Sequence, residues 1–209
     1  MIDKDDQNDL FRLIADNLEK DITCFAIGGT AMMFYGYKES TKDIDLVFHS
    51  NEDLKIFIKA IKKLGYEEKA IFGIYSKERQ KDPGKPRMFT MGDERIDLFN
   101  KKVFSLELNP EIYGRFDFRG KKNLIMNTPP KEWIIALKII TNRDKDLVDI
   151  ITICEKERSV DWSKVVDIIL KKPTRWLLLD MEETMQKLKK KFLIKKEYFD
   201  RIYKAYDKI

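Results

Sequence analysis

The sequence predicts an α+β protein: a mixed β-sheet with flanking helices, followed by a C-terminal helical subdomain. Three observations lead there. Short β-branched and aromatic runs of strand length fill much of residues 23–126. Helical periodicity takes over from Pro129 to the end. Strands first and helices later is the order of a segregated α+β arrangement rather than of alternating βα units. The boundary is expected near residue 128, giving a core of residues 1–127 and a helical part of residues 128–209. A chain of 209 residues is long enough to bury a real core as one domain or one and a half.

The elements can be justified in order. Leu10 to Lys20 reads as an amphipathic helix, leading into a buried strand at Thr23 to Ile27. Thr30 to Tyr35 is a short apolar helix, and Asp43-Ile44-Asp45-Leu46-Val47-Phe48 a strand. Asn51 to Leu64 carries Leu54, Phe57, Ile58 and Ile61 at helical spacing and is closed by Gly65. Strands follow at residues 66–75, Arg87 to Met91 and Arg95 to Phe99. Between them Lys77, Arg79, Lys81 and Lys85 surround an Asp82-Pro83-Gly84 turn. That basic loop is either a substrate contact or an exposed hairpin tip. Phe116 to Phe118 and Asn123 to Met126 are two more strands. Thr128-Pro129-Pro130 then opens a helix, with Thr128 as N-cap and Pro129 at the first helical position. Trp133 to Ile140 continues it as a buried helix interrupted by Lys138.

Composition excludes several classes. Hydrophobic residues make up 43% and charged residues 37%, the balance of a soluble globular protein with a heavily charged surface. No stretch approaches the roughly 20 apolar residues that span a bilayer, so no membrane association is expected. The acidic, polar first residues do not form a signal peptide. Cys24 and Cys154 lack pairing or metal spacing, which fits a reducing cytoplasm. His49 is the single histidine. A histidine-rich metal site is thereby excluded, acid–base work falls to carboxylates, and His49 itself reads as a strand-end surface residue. The net charge of +5 is uneven: residues 187–209 hold nine Lys or Arg against three acidic residues. Phe192, Tyr198, Phe199, Tyr203 and Tyr206 are interleaved with them. Such a basic C-terminal helix either tracks a nucleic-acid backbone and stacks bases or is amphipathic, with aromatics packed inward and lysines solvated.

The strongest functional signal lies between residues 27 and 47. Asp43 and Asp45, two apart in a strand, leave the same face while Ile44 and Leu46 point into the core. Two carboxylates on one face repel unless a cation lies between them, and hard oxygen ligands suit Mg²⁺, with Mn²⁺ the other candidate. Upstream, Gly28-Gly29 joins a strand to a helix, where backbone N–H groups can approach an anion closely, and Thr30 would add a hydroxyl to phosphate oxygens. Each piece alone has a plainer reading, a turn for the glycines and solvated carboxylates for the Asp-x-Asp. Their joint occurrence at this spacing favours a phosphate cradle beside a metal site.

At this point the chain resembles the polymerase-beta-like nucleotidyltransferase superfamily, whose pattern is Gly-Gly/Ser, a short helix, then Asp-x-Asp. The run Gly-Gly-Thr-Ala-Met-Met-Phe-Tyr-Gly-Tyr-Lys-Glu-Ser-Thr-Lys-Asp-Ile-Asp-Leu looks most like AbiEii-type toxins and small nucleotidyltransferases related to them. The resemblance implies a third carboxylate on a later strand, for which Asp97 in Arg95-Ile96-Asp97-Leu98-Phe99 is the candidate; Asp93 and Glu94 read as solvated turn residues. Leu137-Lys138 and Arg143-Asp144-Lys145-Asp146-Leu147-Val148-Asp149-Ile150 resemble that family's later motifs. By that resemblance Lys138 would contact the nucleotide, Arg143 and Lys145 the triphosphate, and Asp146 would be the base or an organiser of the site. The plainer reading is a snorkelling Lys138 and a Lys145–Asp149 surface pair. Thr41 joins the expected nucleotide-binding set with Gly28, Gly29 and Thr30. Many relatives carry a basic residue just before the first metal aspartate; here Lys38 or Lys42 would stand in, with Glu39 between them.

The resemblance implies an enzyme that moves NMP from an NTP such as ATP to an acceptor hydroxyl. Asp43 and Asp45 would bridge two ions roughly 3.5–4 Å apart, with Asp97 completing the set. The nucleotide would lie in a cleft between core and helical part. The implied acceptor is an RNA end, such as a tRNA acceptor stem, in a toxin–antitoxin setting with a partner antitoxin protein. Antibiotic- or protein-modifying nucleotidyltransferases and a non-catalytic nucleotide- or nucleic-acid-binding module remain the alternatives.

Overall fold

The computed structural model describes residues 1–70 and 81–209 and divides into two compact units, Met1–Pro129 and Pro130–Ile209. The fold is α+β.

The first unit runs β1 (Ile2–Asp3), α1 (Lys4–Asn17), β2 (Ile22–Ala26), α2 (Gly28–Phe34), β3 (Ser40–Thr41), β4 (Ile44–Phe48) and α3 (Asn51–Lys63). It continues with β5 (Glu67–Lys69), β6 (Arg87–Met91), β7 (Glu94–Asn100), β8 (Lys102–Val103), β9 (Leu106–Glu107), β10 (Gly114–Arg119) and β11 (Asn123–Thr128). Seven strands form one sheet in the order β10-β11-β2-β4-β7-β6-β5. It is mixed, because β11 pairs with β2 and β4 with β7 in parallel while the other neighbours are antiparallel. Ile44, Leu46, Ile96 and Leu98 are at most 1% exposed. On that face Phe48 meets Phe57 of α3, ring centroids 5.1 Å apart. Phe11, Phe34, Phe116 and Phe118 form a second aromatic cluster. The alternate residues of β4 and β7, including both strand aspartates, therefore leave the opposite face.

Several boundaries differ from the sequence expectation, each for a physical reason. The first helix starts at Lys4 rather than Leu10, because Asp3 accepts from the N–H groups of Asp5 and Asp6 and Asp6 reciprocates. That polar first turn carries no apolar period to announce it. Thr128 is not a helix cap. It ends β11 opposite Gly114, and its carbonyl accepts from Tyr113 at 2.9 Å. The helix begins only at Lys131, after Pro130, whose carbonyl accepts from Trp133 and Ile134. Of the strand expected at residues 66–75, Glu67–Lys69 is present as β5; residues 71–80, with Lys77 and Arg79 of the basic loop, lie outside the described residues. The Asp82-Pro83-Gly84 turn is closed by Asp82, which accepts from Gly84 and Lys85.

The second unit is five helices: α4 (Lys131–Thr141), α5 (Asp144–Lys156), α6 (Trp162–Leu170), α7 (Arg175–Lys189) and α8 (Lys196–Tyr206). Residues 132–140 of α4 are buried all round, as befits a helix packed against α5, α6 and α7. The basic C-terminal stretch is not one helix, since α7 ends at Lys189 and α8 begins at Lys196. Much of its charge is paired locally, through Lys187–Glu183, Lys191–Glu155, Lys195–Glu197 and Arg201–Asp167. Phe199 is buried, with the Lys189 ammonium 5.2 Å from its ring centroid. Among the described residues, no helix is long and apolar enough to cross a membrane.

Candidate metal centre

The parallel register of β4 and β7 sets Asp45 directly beside Asp97. Asp43, two residues before Asp45, lies on the same face just ahead of β4. One carboxylate oxygen from each of Asp43, Asp45 and Asp97 lies within 4.8 Å of the other two. Asp97 is 1% exposed, Asp43 is buried and Asp45 half-buried.

Local hydrogen bonds hold this triad. The Asp45 N–H donates to Thr30 Oγ1 at 2.9 Å, and the Asp45 carbonyl accepts from Ile27 at 3.0 Å. Thr41 Oγ1 donates to the Asp43 carbonyl at 3.1 Å. Thr30 and Thr41 are buried and tie down the aspartate backbone. The Thr30 hydroxyl, expected to meet phosphate, accepts from the Asp45 N–H of the strand. The glycine pair is the first turn of α2 rather than a loop before it. Gly28 has φ +56°, and a Cβ there would stand 2.3 Å from Asp45 Oδ2. A Cβ on Gly29 would stand 2.3 Å from Thr41 Oγ1. Only glycine allows the helix start to lie this close to the carboxylates.

Arg95 belongs to the same centre, although the sequence marked it only as the start of a strand. Its Nη2 donates to Asp43 Oδ2 and, at 3.2 Å, to Asp97 Oδ2. The available signal was its spacing two residues before Asp97, which sets both on one face. Glu94 is not merely solvated, since it accepts from the phenol of Tyr66. His49 is exposed at the strand end, its Nε2 2.5 Å from the Leu108 carbonyl.

Lys138, Arg143, Asp146 and Asp149 form a separate ion cluster in the helical unit. Lys138 is 4% exposed and donates to Asp149 Oδ2 at 2.5 Å and Asp146 Oδ1 at 3.3 Å. Asp146 also accepts from Thr141 Oγ1 at 2.7 Å, Arg143 Nε at 2.8 Å and the Arg143 N–H at 3.1 Å. Asp149 is therefore the partner of Lys138 rather than of Lys145, which is exposed on the first turn of α5. Arg143 is half-buried.

Burial pushes the Asp146 carboxyl upward, but the Arg143 hydrogen bond and the charges of Lys138 and Arg143 outweigh it and hold the pKa down at about 2. A carboxylate held there is a poor proton acceptor near neutral pH. The depressed pKa also makes a stability prediction. Relative to an ordinary value of 3.8, the stabilisation is present above about pH 4 and lost as pH falls toward 2, amounting to about 2 kcal/mol. Asp146→Asn is expected to flatten the acid limb of a urea-denaturation stability profile over that window. An unchanged slope would show that Asp146 is not held this way.

Both cysteines are free. Burial, then the Asp53 charge, raises the Cys24 thiol, and burial with Glu155 pushes Cys154 up to about 11; neither is a reactive thiolate.

The donor set suits a hard divalent cation. Three carboxylate oxygens converge, and among the described residues Arg95 bridges two of the carboxylates. No protein-family model and no curated protein matches this chain.

Proposed function

We propose that the chain is a Mg²⁺-dependent nucleotidyltransferase whose centre is Asp43, Asp45 and Asp97. One observation carries the reading: three carboxylates, two on adjacent parallel strands and one just ahead of them, converge within 4.8 Å beside a helix start that Gly28 and Gly29 let lie close to them. Bound there, a divalent cation would neutralise phosphate charge and lower the pKa of the attacking acceptor hydroxyl.

The chain's own residues do the rest by positioning. Asp43, Asp45 and Asp97 hold the cation. Gly28 and Gly29 let the start of α2 lie against Asp45 and Thr41, and Thr30 and Thr41 keep the aspartates in place. Within the helical unit Asp146 orients Lys138 and Arg143. Free thiols suit a cytoplasmic setting.

The resemblance to AbiEii-type toxins makes an RNA end, tRNA first, the acceptor class to try. Each α-phosphate-labelled NTP is incubated with Mg²⁺ and total tRNA, with Asp43→Ala/Asp45→Ala as control. Label entering RNA with the wild-type chain alone is the expected result. No transfer to RNA by a protein that still binds NTP and Mg²⁺ would exclude RNA as acceptor and turn the search to small hydroxylated molecules or protein side chains.

A further inference from the structure

We propose that Arg95 is an internal counterion that competes with the divalent cation for Asp43 and Asp97, and so sets the cation affinity of the centre. The inference rests on the metal-centre reading above. The Arg95 guanidinium donates to one oxygen of each carboxylate, Asp43 Oδ2 and Asp97 Oδ2. Asp43 and Asp97 are two of the three groups whose oxygens converge. A guanidinium stays charged at any pH a protein survives. It cannot neutralise itself to make room, and a cation drawing on the same carboxylates meets a like charge. Entry therefore requires the side chain to move.

The fold allows that movement and limits it to the side chain. Arg95 is paired with Thr90 in the β6–β7 ladder, which fixes its backbone. Its side chain is 21% exposed, against 1% for Asp97. The aspartates are thus set in the sheet while the arginine reaches them from the rim, with a long flexible stem and a route outward. In the metal-free protein the same contact offsets repulsion among the three carboxylates. Arg95 is accordingly a residue that tunes binding rather than a ligand.

The test uses the full chain and Mn²⁺ alone, with free ion followed by electron paramagnetic resonance, for wild type, Arg95→Met and Arg95→Lys. Methionine keeps the stem and removes the charge. Arg95→Met is expected to bind Mn²⁺ at least about tenfold more tightly, the equivalent of one charge-assisted hydrogen bond no longer broken on entry. Arg95→Lys should fall between the two. A folded Arg95→Met that binds no more tightly than wild type overturns the proposal and leaves the metal centre standing. If neither protein binds Mn²⁺, the metal centre itself falls. Should Arg95→Met fail to fold, the wild type decides through its arginine Nε–H resonances: Mg²⁺ is expected to shift the Arg95 signal and speed its solvent exchange, and a signal indifferent to saturating Mg²⁺ overturns the proposal.

Discussion

Asp97→Asn is expected to abolish divalent-cation binding while leaving the metal-free fold intact. Asp97 is the most deeply buried of the three carboxylates, set beside Asp45 by the β4–β7 register and flanked by buried Ile96 and Leu98. The amide has nearly the same shape, so packing is retained, and one of three mutually repelling charges is removed. Arg95 keeps its contact with Asp43. As a ligand the neutral amide oxygen is much poorer, and because changes to outer-shell partners alone cost about 10–100-fold in affinity, loss of a direct ligand should cost at least about 100-fold. Thermal melting makes this visible without any substrate. At Mn²⁺ equal to 100 times the wild-type Kd, binding stabilises by about 2.7 kcal/mol, whereas the same concentration at a 100-fold weaker site gives about 0.4 kcal/mol. At about 2–4 °C per kcal/mol, wild type should gain roughly 5–10 °C and Asp97→Asn about 1 °C. Nucleotidyl transfer should fall with the binding. Equal Mn²⁺-induced shifts in the two proteins would mean that Asp97 holds no cation.

What the sequence revealed about this centre depended on how local each relation is. The Asp43/Asp45 pairing follows from strand alternation over three residues. Asp97 is legible in its own strand by the same rule, but its place beside Asp45 is a pairing of strands some fifty residues apart, which alternation cannot supply. Arg95 obeys the same period, but its contact with Asp43 is again a tertiary one, which that period does not supply. The Thr30 hydroxyl accepts from the Asp45 N–H, a tertiary contact that no pattern within its own helix foretells. Among the elements, α3 was legible from its apolar stripe and closing glycine, which has φ +98°. The start of α1 was hidden by a polar first turn held by Asp3 and Asp6. Thr128-Pro129-Pro130 carried good cap chemistry, yet pairing with β10 claimed Thr128 for the sheet. The Lys138–Asp149 contact joins two helices across a left-handed Asn142, φ +42°, and was equally out of reach of a helical-wheel argument.

Lys138→Met is expected to destabilise the chain by about 3–5 kcal/mol, because removing one partner of a buried ion cluster leaves carboxylate charge in a dry environment. Lys138 is 4% exposed, Asp149 is likewise buried, and their contact is 2.5 Å. Methionine matches the lysine stem in length and suits a helix buried on all sides, so the cost is electrostatic rather than a cavity. Asp146 keeps Arg143 and Thr141, which makes Asp149 the group most affected. Lys138→Met/Asp149→Leu should therefore recover most of the loss, since replacing both members of a buried pair by apolar residues is often neutral or stabilising. Urea denaturation followed by far-ultraviolet circular dichroism reads both variants. A Lys138→Met protein within about 1 kcal/mol of wild type, the range of exposed pairs, would show that the ammonium is solvated. Nucleotide binding that stays lost in a double variant whose stability has recovered would give the Lys138–Asp149 pair a part in binding beyond its part in the fold, and that combination separates the organising reading of this cluster from a purely structural one.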